Sequence, residues 1–348
     1  MLDARKISFQ FSVFSFQFSD LGEKRTENGK LKTENYFQRS LSCLRGKLPE
    51  TMTITGSASA PSNWGGEHME ISRRGFCTGL AAAGIALPQN ASDKVVRYVR
   101  YEHRGKVSYG ILDGDSIKEI RGGLFGNRAQ TGAKVELAAV KLLWPCEPTK
   151  VLAVGLNYKS HLGNRPAPEK PELFFKPLTS LQNPNGDIVI PPGAKNVHYE
   201  GELVIVIGKK AQRISTEKAT DHIFGYTCGN DVSERDWQRG DLQWWRAKGS
   251  DTFAPLGPVI VAGLDYKKSR LQTRVNGEVK QSQLLSDLLF DAQAIVGFTS
   301  QYVTLEPGDV IYTGTPGATS AMKPGDVVEI EIDGIGTLKN RVTGLTDK

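Results

Sequence analysis

HYEGELVIVIG, residues 198–208, sets two glutamates in front of five consecutive aliphatic residues. Side chains two apart on a strand share a face. Glu200 and Glu202 therefore stand in line with Val204 and Val206, while Leu203, Ile205 and Ile207 line the opposite face. Apolar residues on both faces predict a strand covered on both sides. Two neighbouring carboxylates at its start repel each other and lose hydration, a cost of several kcal/mol unless a cation compensates. A hard cation with oxygen ligands meets that need. The competing reading leaves this end of the strand protruding, with both carboxylates in water.

A third carboxylate favours the cation. FGYTCGN (224–230) reads as another strand and runs into Asp231, with Arg235 and Gln238 further along. Asp231 at that strand end completes a three-carboxylate site if the two strands are neighbours. Mg²⁺ takes only a few protein carboxylates and keeps positions for water and substrate. The expected ligands are therefore Glu200, Glu202 and Asp231, and the expected cofactor is Mg²⁺, with Mn²⁺ or Ca²⁺ as alternatives. A helical turn after Asp231 brings Arg235 and Gln238 to its side. An arginine beside a metal suits a substrate that carries a carboxylate.

Around these segments the chain reads as strands separated by turns. Apolar runs fall at 151–154, 173–175, 188–190, 203–207, 259–261, 310–312 and 327–332. Pro-Gly-Asp turns at 307–309 and 324–326 each feed one of them, and Asn276-Gly277 marks a hairpin after 271–275. One helix is predicted over about 291–303, where Ala292, Ile295, Val296, Thr299 and Val303 form a face. Upstream, 95–101, 106–112 and 117–120 read as a meander with turns at His103-Arg104-Gly105 and Asp113-Gly114-Asp115. A helix is expected after it, over about 134–143, before Pro145 and Pro148 mark a junction. The class is α+β, mainly β, with a small N-terminal β module at 93–147 and a larger domain at 148–348.

Composition excludes several classes. Hydrophobic content of 39% and charged content of 24% fit a globular protein. The net charge of +6 comes without a long basic run or basic–aromatic stripe beyond residue 92, which argues against nucleic acid as a partner. No GxGxxG opens a helix after a strand and there is no P-loop. Cys43, Cys77, Cys146 and Cys228 form no CxxC pair, so a cysteine zinc site is not expected. Cys146 and Cys228 are expected as buried thiols.

The first ninety residues differ in character. Residues 1–68 read poorly as a domain, since ISFQFSVFSFQF (7–18) has no evident strand partner and Met52 and Met69 are alternative starts. They are expected to be an upstream extension or a poorly ordered tail. In 69–92, Ser72-Arg73-Arg74-Gly75-Phe76 precedes the apolar run TGLAAAGIAL (78–87). A span needs ~20 residues, so stable membrane insertion is not expected. The run suits a signal-peptide core, and the paired arginines are similar to a twin-arginine export signal. The expected location is periplasmic or exported; a surface helix with two chance arginines leaves the chain cytoplasmic.

VGLNYKSH (154–161), FFKP (174–177), HYEGELVIVIG (198–208), GYTCGNDVSERDWQ (225–238), AKGSDTFAPLGP (247–258) and PGDVIYTGTPGA (307–318) together resemble the fumarylacetoacetate hydrolase family, over about 150–342. The resemblance implies a mixed β-roll with few helices, usually a homodimer, often with a small β module in front. It assigns metal binding to Glu200, Glu202 and Asp231, and substrate contacts to Arg235, Gln238 and Thr315. It assigns charge stabilisation to Lys248, and to His161, at the start of a mobile lid, the role of general base. His198 shares the strand face of Glu200, and packing or surface exposure is the expected role. Hydrolytic or decarboxylating relatives usually carry a Glu three residues after the base; here Asn164 stands there. An amide orients an imidazole but does not stabilise imidazolium as a carboxylate does. Glu169, in the Pro-rich stretch 166–171, is a candidate to swing in as a substitute.

The leading expectation is metal-dependent hydrolysis of a C–C bond in a small 2,4-dioxo acid (an acylpyruvate or a fumarylacetoacetate-like acid). Tautomerisation, isomerisation, hydration or decarboxylation of a small 2-oxo acid at the same site is the alternative that Asn164 raises. A non-catalytic, exported keto-acid-binding protein is the third reading. Specificity is expected from the lid at 162–172 and from DLQWWR (241–246), whose Trp244 and Trp245 line either the pocket or a subunit interface.

Overall fold

The computed structural model describes residues 51–53, 70–72 and 95–344. The extension read over 1–68 and the export signal read over 69–92 lie outside the described residues, except for Thr51–Thr53 and Glu70–Ser72, which pair antiparallel. Among the described residues no helix is long and apolar enough to cross a membrane.

Twelve strands form one mixed sheet, and five form a second. From residue 95 the fold opens with a meander, β1 (Val96–His103), β2 (Lys106–Asp113), β3 (Ser116–Arg121) and β4 (Ala129–Glu136), then β5 (Lys141–Leu143). Next come β6 (Val151–Gly155), the short helix α1 (Lys159–Leu162), β7 (Glu172–Lys176), β8 (Leu181–Gln182), β9 (Asp187–Ile190) and β10 (Val197–His198). The centre is β11 (Gly201–Ile207), β12 (Ile223–Asn230), β13 (Ser233–Glu234), α2 (Arg235–Gly240), α3 (Trp245–Gly249) and β14 (Ala254–Ala262). The chain closes with β15 (Arg270–Val275), β16 (Glu278–Leu284), α4 (Ala292–Ser300), β17 (Val310–Tyr312), β18 (Val327–Ile332) and β19 (Gly336–Gly344). The large sheet runs β4-β3-β2-β1-β14-β12-β11-β17-β6-β7, with β5 on β1 and β8 on β14. The second runs β9-β19-β18-β15-β16. This is the mixed, mainly β architecture expected from the sequence.

β11 is buried along its whole length. Leu203, Ile205 and Ile207 join a core that includes Leu271, Ile330 and Ile332 of the second sheet. Val204 and Val206 pack in another, with Val151, Leu256, Ile260 and Tyr312. Fully burying an aliphatic side chain contributes about 1.5–3 kcal/mol, so the alternation read from residues 203–207 has strong energetic support. Gly201 lets the second sheet approach: a Cβ there would lie 2.1 Å from Thr273 Oγ1.

The Asn276-Gly277 hairpin forms as read, with φ of +53° and +83° at its two residues, the left-handed pair that a two-residue turn requires. α4 is shorter than the helix read over 291–303. Asp291 caps it by accepting from the Ala294 amide at 2.9 Å, and the predicted face is buried from Ala292 to Thr299. Cys146 and Cys228 are buried free thiols.

One expectation fails. Residues 134–143 are not a helix: they hold the end of β4, a single 3-10 turn (Leu137–Ala139) and β5. Lys134 and Val135 pair with Lys118 and Ile117 of β3, and Lys141 to Leu143 pair with β1. Val135, Leu137, Val140 and Leu142 pack against the core. Sheet pairing and this burial outweigh the helical preference of the Ala-, Leu- and Lys-rich stretch, since propensity is a weak force beside tertiary contacts.

The first Pro-Gly-Asp turn is fastened to both neighbouring strands. Asp309 Oδ1 accepts from the Thr149 amide (2.9 Å), the Thr149 hydroxyl (2.8 Å) and the Lys150 amide (3.0 Å). Its Oδ2 accepts from the Glu306 amide at 2.7 Å and pairs with the Lys150 ammonium. Its main-chain carbonyl accepts from the Ile207 amide, at the end of β11. Asp309→Ala removes the buried acceptor of these part-buried donors and is expected to destabilise the fold by roughly 1–3 kcal/mol in urea unfolding; a loss under roughly 0.5 kcal/mol would show that these side-chain bonds do not hold the start of β6 to the turn before β17.

Candidate active site

The register of two strands assembles the acidic cluster. Gly201 of β11 faces Asn230 of β12, so Glu200 and Asp231 lie just past paired ends. The Asp231 amide donates to the Glu200 carbonyl at 2.9 Å. The Glu200 amide donates to Asn230 Oδ1 at 2.8 Å. Glu200, Glu202 and Asp231 are only 3%, 1% and 1% exposed, and one carboxylate oxygen from each lies within 4.8 Å of the others.

Their partners are unequal. Glu200 accepts from Arg235 Nη2 (2.5 Å), Lys248 Nζ (2.5 Å) and the Ser233 hydroxyl (3.2 Å). Asp231 accepts from Lys176 Nζ at 2.6 Å and Lys248 Nζ at 2.5 Å. Among the described residues, Glu202 receives only the Gly314 amide, at 2.6 Å. Burial works to raise the Glu200 carboxyl, but Lys248, Arg235 and His161 outweigh it and hold the group below its ordinary value. Burial, then Asp231 and Glu200, push the Glu202 carboxyl well above its ordinary value. Burial acts against the Lys248 ammonium, yet Asp231 and Glu200 keep its pKa raised. A buried carboxylate facing two others with a single amide donor is the kind of unmet charge that a hard cation relieves, and an all-oxygen donor set suits one. The three residues therefore fit a divalent metal.

Gly314 supplies that amide from a conformation only glycine adopts readily, with φ of +101°. A Cβ there would come 2.8 Å from Asn157 Cβ. Next to it, Thr315 is buried; its hydroxyl donates to the Gly201 carbonyl at 2.9 Å and accepts from Gln281 Nε2 at 2.8 Å. Thr315 thus holds the link between the two glutamates while also lining the cavity.

The cavity over the carboxylates has a volume of about 640 Å³. Arg235, Gln238, Lys248 and His161 all line it, so the structure brings every predicted site residue together. Arg235 opens α2 and turns to Glu200 rather than Asp231; its Nη1 donates to Gln238 Oε1 at 2.8 Å and its Nη2 to Thr319 Oγ1 at 2.8 Å. His198, expected in packing or at the surface, is half-buried and hydrogen-bonded on both sides. Its two ring nitrogens lie 2.8 Å from Thr319 Oγ1 and 2.8 Å from Asn196 Oδ1. Burial and the Arg235 charge push its pKa down to about 4, so at neutral pH it is an uncharged link that steadies Thr319 against Arg235.

His161 projects from α1 with Nδ1 2.5 Å from the Gly317 carbonyl and Nε2 3.7 Å from Glu200 Oε1. A carbonyl only accepts, so Nδ1 carries a proton and Nε2 is the nitrogen turned to the acids and the cavity. Asn164 and Glu169 are exposed, and neither lines the cavity. Glu169 does not replace the carboxylate that Asn164 lacks. Of the tryptophans, Trp244 lines the cavity edge-on to Phe174, with ring centroids 5.2 Å apart, whereas Trp245 is exposed.

Lys176 is the residue that sequence reasoning missed. It ends β7 fully enclosed, bonding Asp231 and the Lys248 carbonyl. Burial lowers its pKa and the Asp231 charge works in the other direction. The signal was available in FFKP: a lysine between two phenylalanines and a proline has little apolar purpose on a strand unless an acid meets it.

If the three acids hold one metal, calorimetric titration with Mn²⁺ should show one site per chain, and Asp231→Asn should weaken it by about two orders of magnitude or more. Manganese at a hundred times its dissociation constant should also stabilise the wild type by about 2.7 kcal/mol. Unchanged Mn²⁺ affinity in Asp231→Asn would remove Asp231 from the ligand set.

Residues 150–343 match the model of the fumarylacetoacetate (FAA) hydrolase C-terminal domain, and residues 96–145 match that of the Rv2993c-like N-terminal domain. The chain is similar to a solved 5-carboxymethyl-2-hydroxymuconate delta-isomerase from Mycobacterium smegmatis, 47% identical over 71% of this chain and 99% of that one, with a TM-score of 0.68. It is 40% identical over 209 residues to a human mitochondrial oxaloacetate tautomerase, covering 56% of this chain and 67% of the human one. A maleylpyruvate hydrolase from Sphingobium sp. SYK-6, solved with manganese(II) and pyruvate, is 28% identical over 71% of this chain and 99% of its own, with a TM-score of 0.59. Fold, acidic centre and sequence agree, and the chain belongs to the fumarylacetoacetate hydrolase family.

Proposed function

We propose that this chain is a divalent-metal-dependent isomerase that interconverts the keto and enol forms of a small 2-oxo acid. The observation that carries this reading is the setting of His161: an imidazole oriented at Nδ1 by a backbone carbonyl, with Nε2 turned to the cavity and, among the described residues, no carboxylate on the Nδ1 side. Such a base takes a proton from the carbon next to the 2-oxo group and returns it to the oxygen, so charge on the ring is transient. Water-driven cleavage asks the imidazolium to persist through attack, and there a carboxylate partner contributes most.

The other side chains have matching tasks. Arg235, fixed by Glu200, Thr319 and Gln238, offers its guanidinium to the substrate carboxylate. Lys248 is kept charged between Glu200 and Asp231 and stabilises negative charge developing on the 2-oxygen. A divalent cation held by Glu200, Glu202 and Asp231, Mg²⁺ in this proposal with Mn²⁺ or Ca²⁺ as substitutes, lowers the cost of charge on an adjacent carbonyl oxygen. Trp244 and Phe174 shield one wall from water.

The second reading is hydrolysis of a 2,4-dioxo acid at the same site. The 640 Å³ cavity favours it, being roomier than a four-carbon acid requires, as does the likeness to the maleylpyruvate hydrolase.

The test is enol-oxaloacetate ketonisation and C3 proton exchange in D₂O with Mg²⁺, beside pyruvate release from acylpyruvates. The proposal expects both proton-transfer signals in the wild type and a loss of about 10²–10⁴-fold in His161→Ala. Acylpyruvate cleavage without enol turnover would make the chain a hydrolase. Tight binding of 2-oxo acids with no turnover of any would make it a binding protein.

The homodimer implied by the family is also proposed here. Phe175, Leu178, Leu242 and Trp245 are large apolar side chains left exposed on β7 and α3 and the segments beside them. Sheltering them against a second copy removes that surface from water. Light scattering should give a dimer mass for the wild type and a monomer mass for the Leu242→Asp, Trp245→Glu double variant; a monomeric wild type would end this part.

A further inference from the structure

The floor of the cavity is balanced in charge without help from its mouth. Three carboxylates, Glu200, Glu202 and Asp231, are met by three cationic side chains, Lys176, Lys248 and Arg235. Two more arginines line the cavity, Arg165 and Arg239. Arg239 is paired with Asp236. Arg165 has no carboxylate partner among the described residues. It sits just beyond α1, past Gly163, whose φ of +59° turns the chain. The Arg165 amide donates to the Leu162 carbonyl at 3.2 Å, and its Nε donates to the same oxygen at 3.4 Å. Leu162 is buried, so this double link anchors the start of the side chain and leaves both Nη groups for a ligand.

We propose that Arg165 reads a second carboxylate on the substrate, remote from the 2-oxo acid end, and selects 2-oxo dicarboxylic acids over their monocarboxylic counterparts. This rests on the small 2-oxo acid reading above and narrows it. A divalent cation on the balanced floor adds two positive charges, and Arg165 a third. A 2-oxo monocarboxylate answers one of them; a dicarboxylate answers two and places the second where a planar, forked donor is waiting. The position also explains how a lid with an amide at Asn164 still contributes to the site: it supplies recognition where a His–Glu lid would supply proton transfer.

The experiment is calorimetric binding of oxaloacetate and of 2-oxobutanoate, its four-carbon monocarboxylic analogue, to Mn²⁺-loaded wild type, Arg165→Met and Arg165→Lys. Wild type should prefer oxaloacetate by about tenfold or more, the range for one charge-assisted recognition contact. Arg165→Met should lose that preference by weakening oxaloacetate alone, with 2-oxobutanoate unchanged within about twofold, and Arg165→Lys should retain part of it. Equal weakening of both acids in Arg165→Met, or an unchanged preference, would overturn the role of Arg165 and leave the site reading standing. If neither acid binds wild-type protein that demonstrably holds Mn²⁺, both fall together.

Discussion

Three carboxylates held out of water within 4.8 Å of one another are the constraint to which the rest of this molecule answers. Each buried charge costs several kcal/mol before compensation. The β11–β12 register brings Glu200 and Asp231 side by side, and Gly201 lets the second sheet close against the strand between the two glutamates. Lys176, Lys248 and Arg235 offset two of the acids. Glu202 is left with one amide. That imbalance sets the cluster apart from a self-sufficient ion-pair network and suits it to a cation.

The large sheet distributes the work around this centre. The meander β1 to β4 extends one side of the sheet, while β6 and β7 close the other. The second side carries α1 and Lys176. Side chains from α1, α2 and α3 and from the loop after β17 thus reach the acids from different directions. Each element brings one kind of side chain: an imidazole on α1, a guanidinium on α2, an ammonium on α3.

Much of this was legible in the residues. The acids were readable because strand parity is rigid: once 203–207 is a buried strand, Glu200 and Glu202 must share a face. The turns at Asn276-Gly277 and the two Pro-Gly-Asp sites were readable because their backbone demands are specific. Residues 134–143 were misread because Ala, Leu and Lys favour helix locally, and only pairing with β1 and β3 decides otherwise. Lys176 escaped because its partner, Asp231, lies 55 positions away. The roles of His198 and Arg165 depend on Thr319 and on the turn at Gly163, which no short motif announces.

The central claim is that Glu200, Glu202 and Asp231 converge on one hard cation. Anomalous diffraction from crystals grown in saturating Mn²⁺ tests it most directly. The account predicts a single strong manganese peak bounded by oxygens of all three side chains, with Lys176 and Lys248 at its flank. A manganese-saturated protein with no peak there, or with the peak elsewhere and these acids engaged only by lysine and arginine, would contradict it.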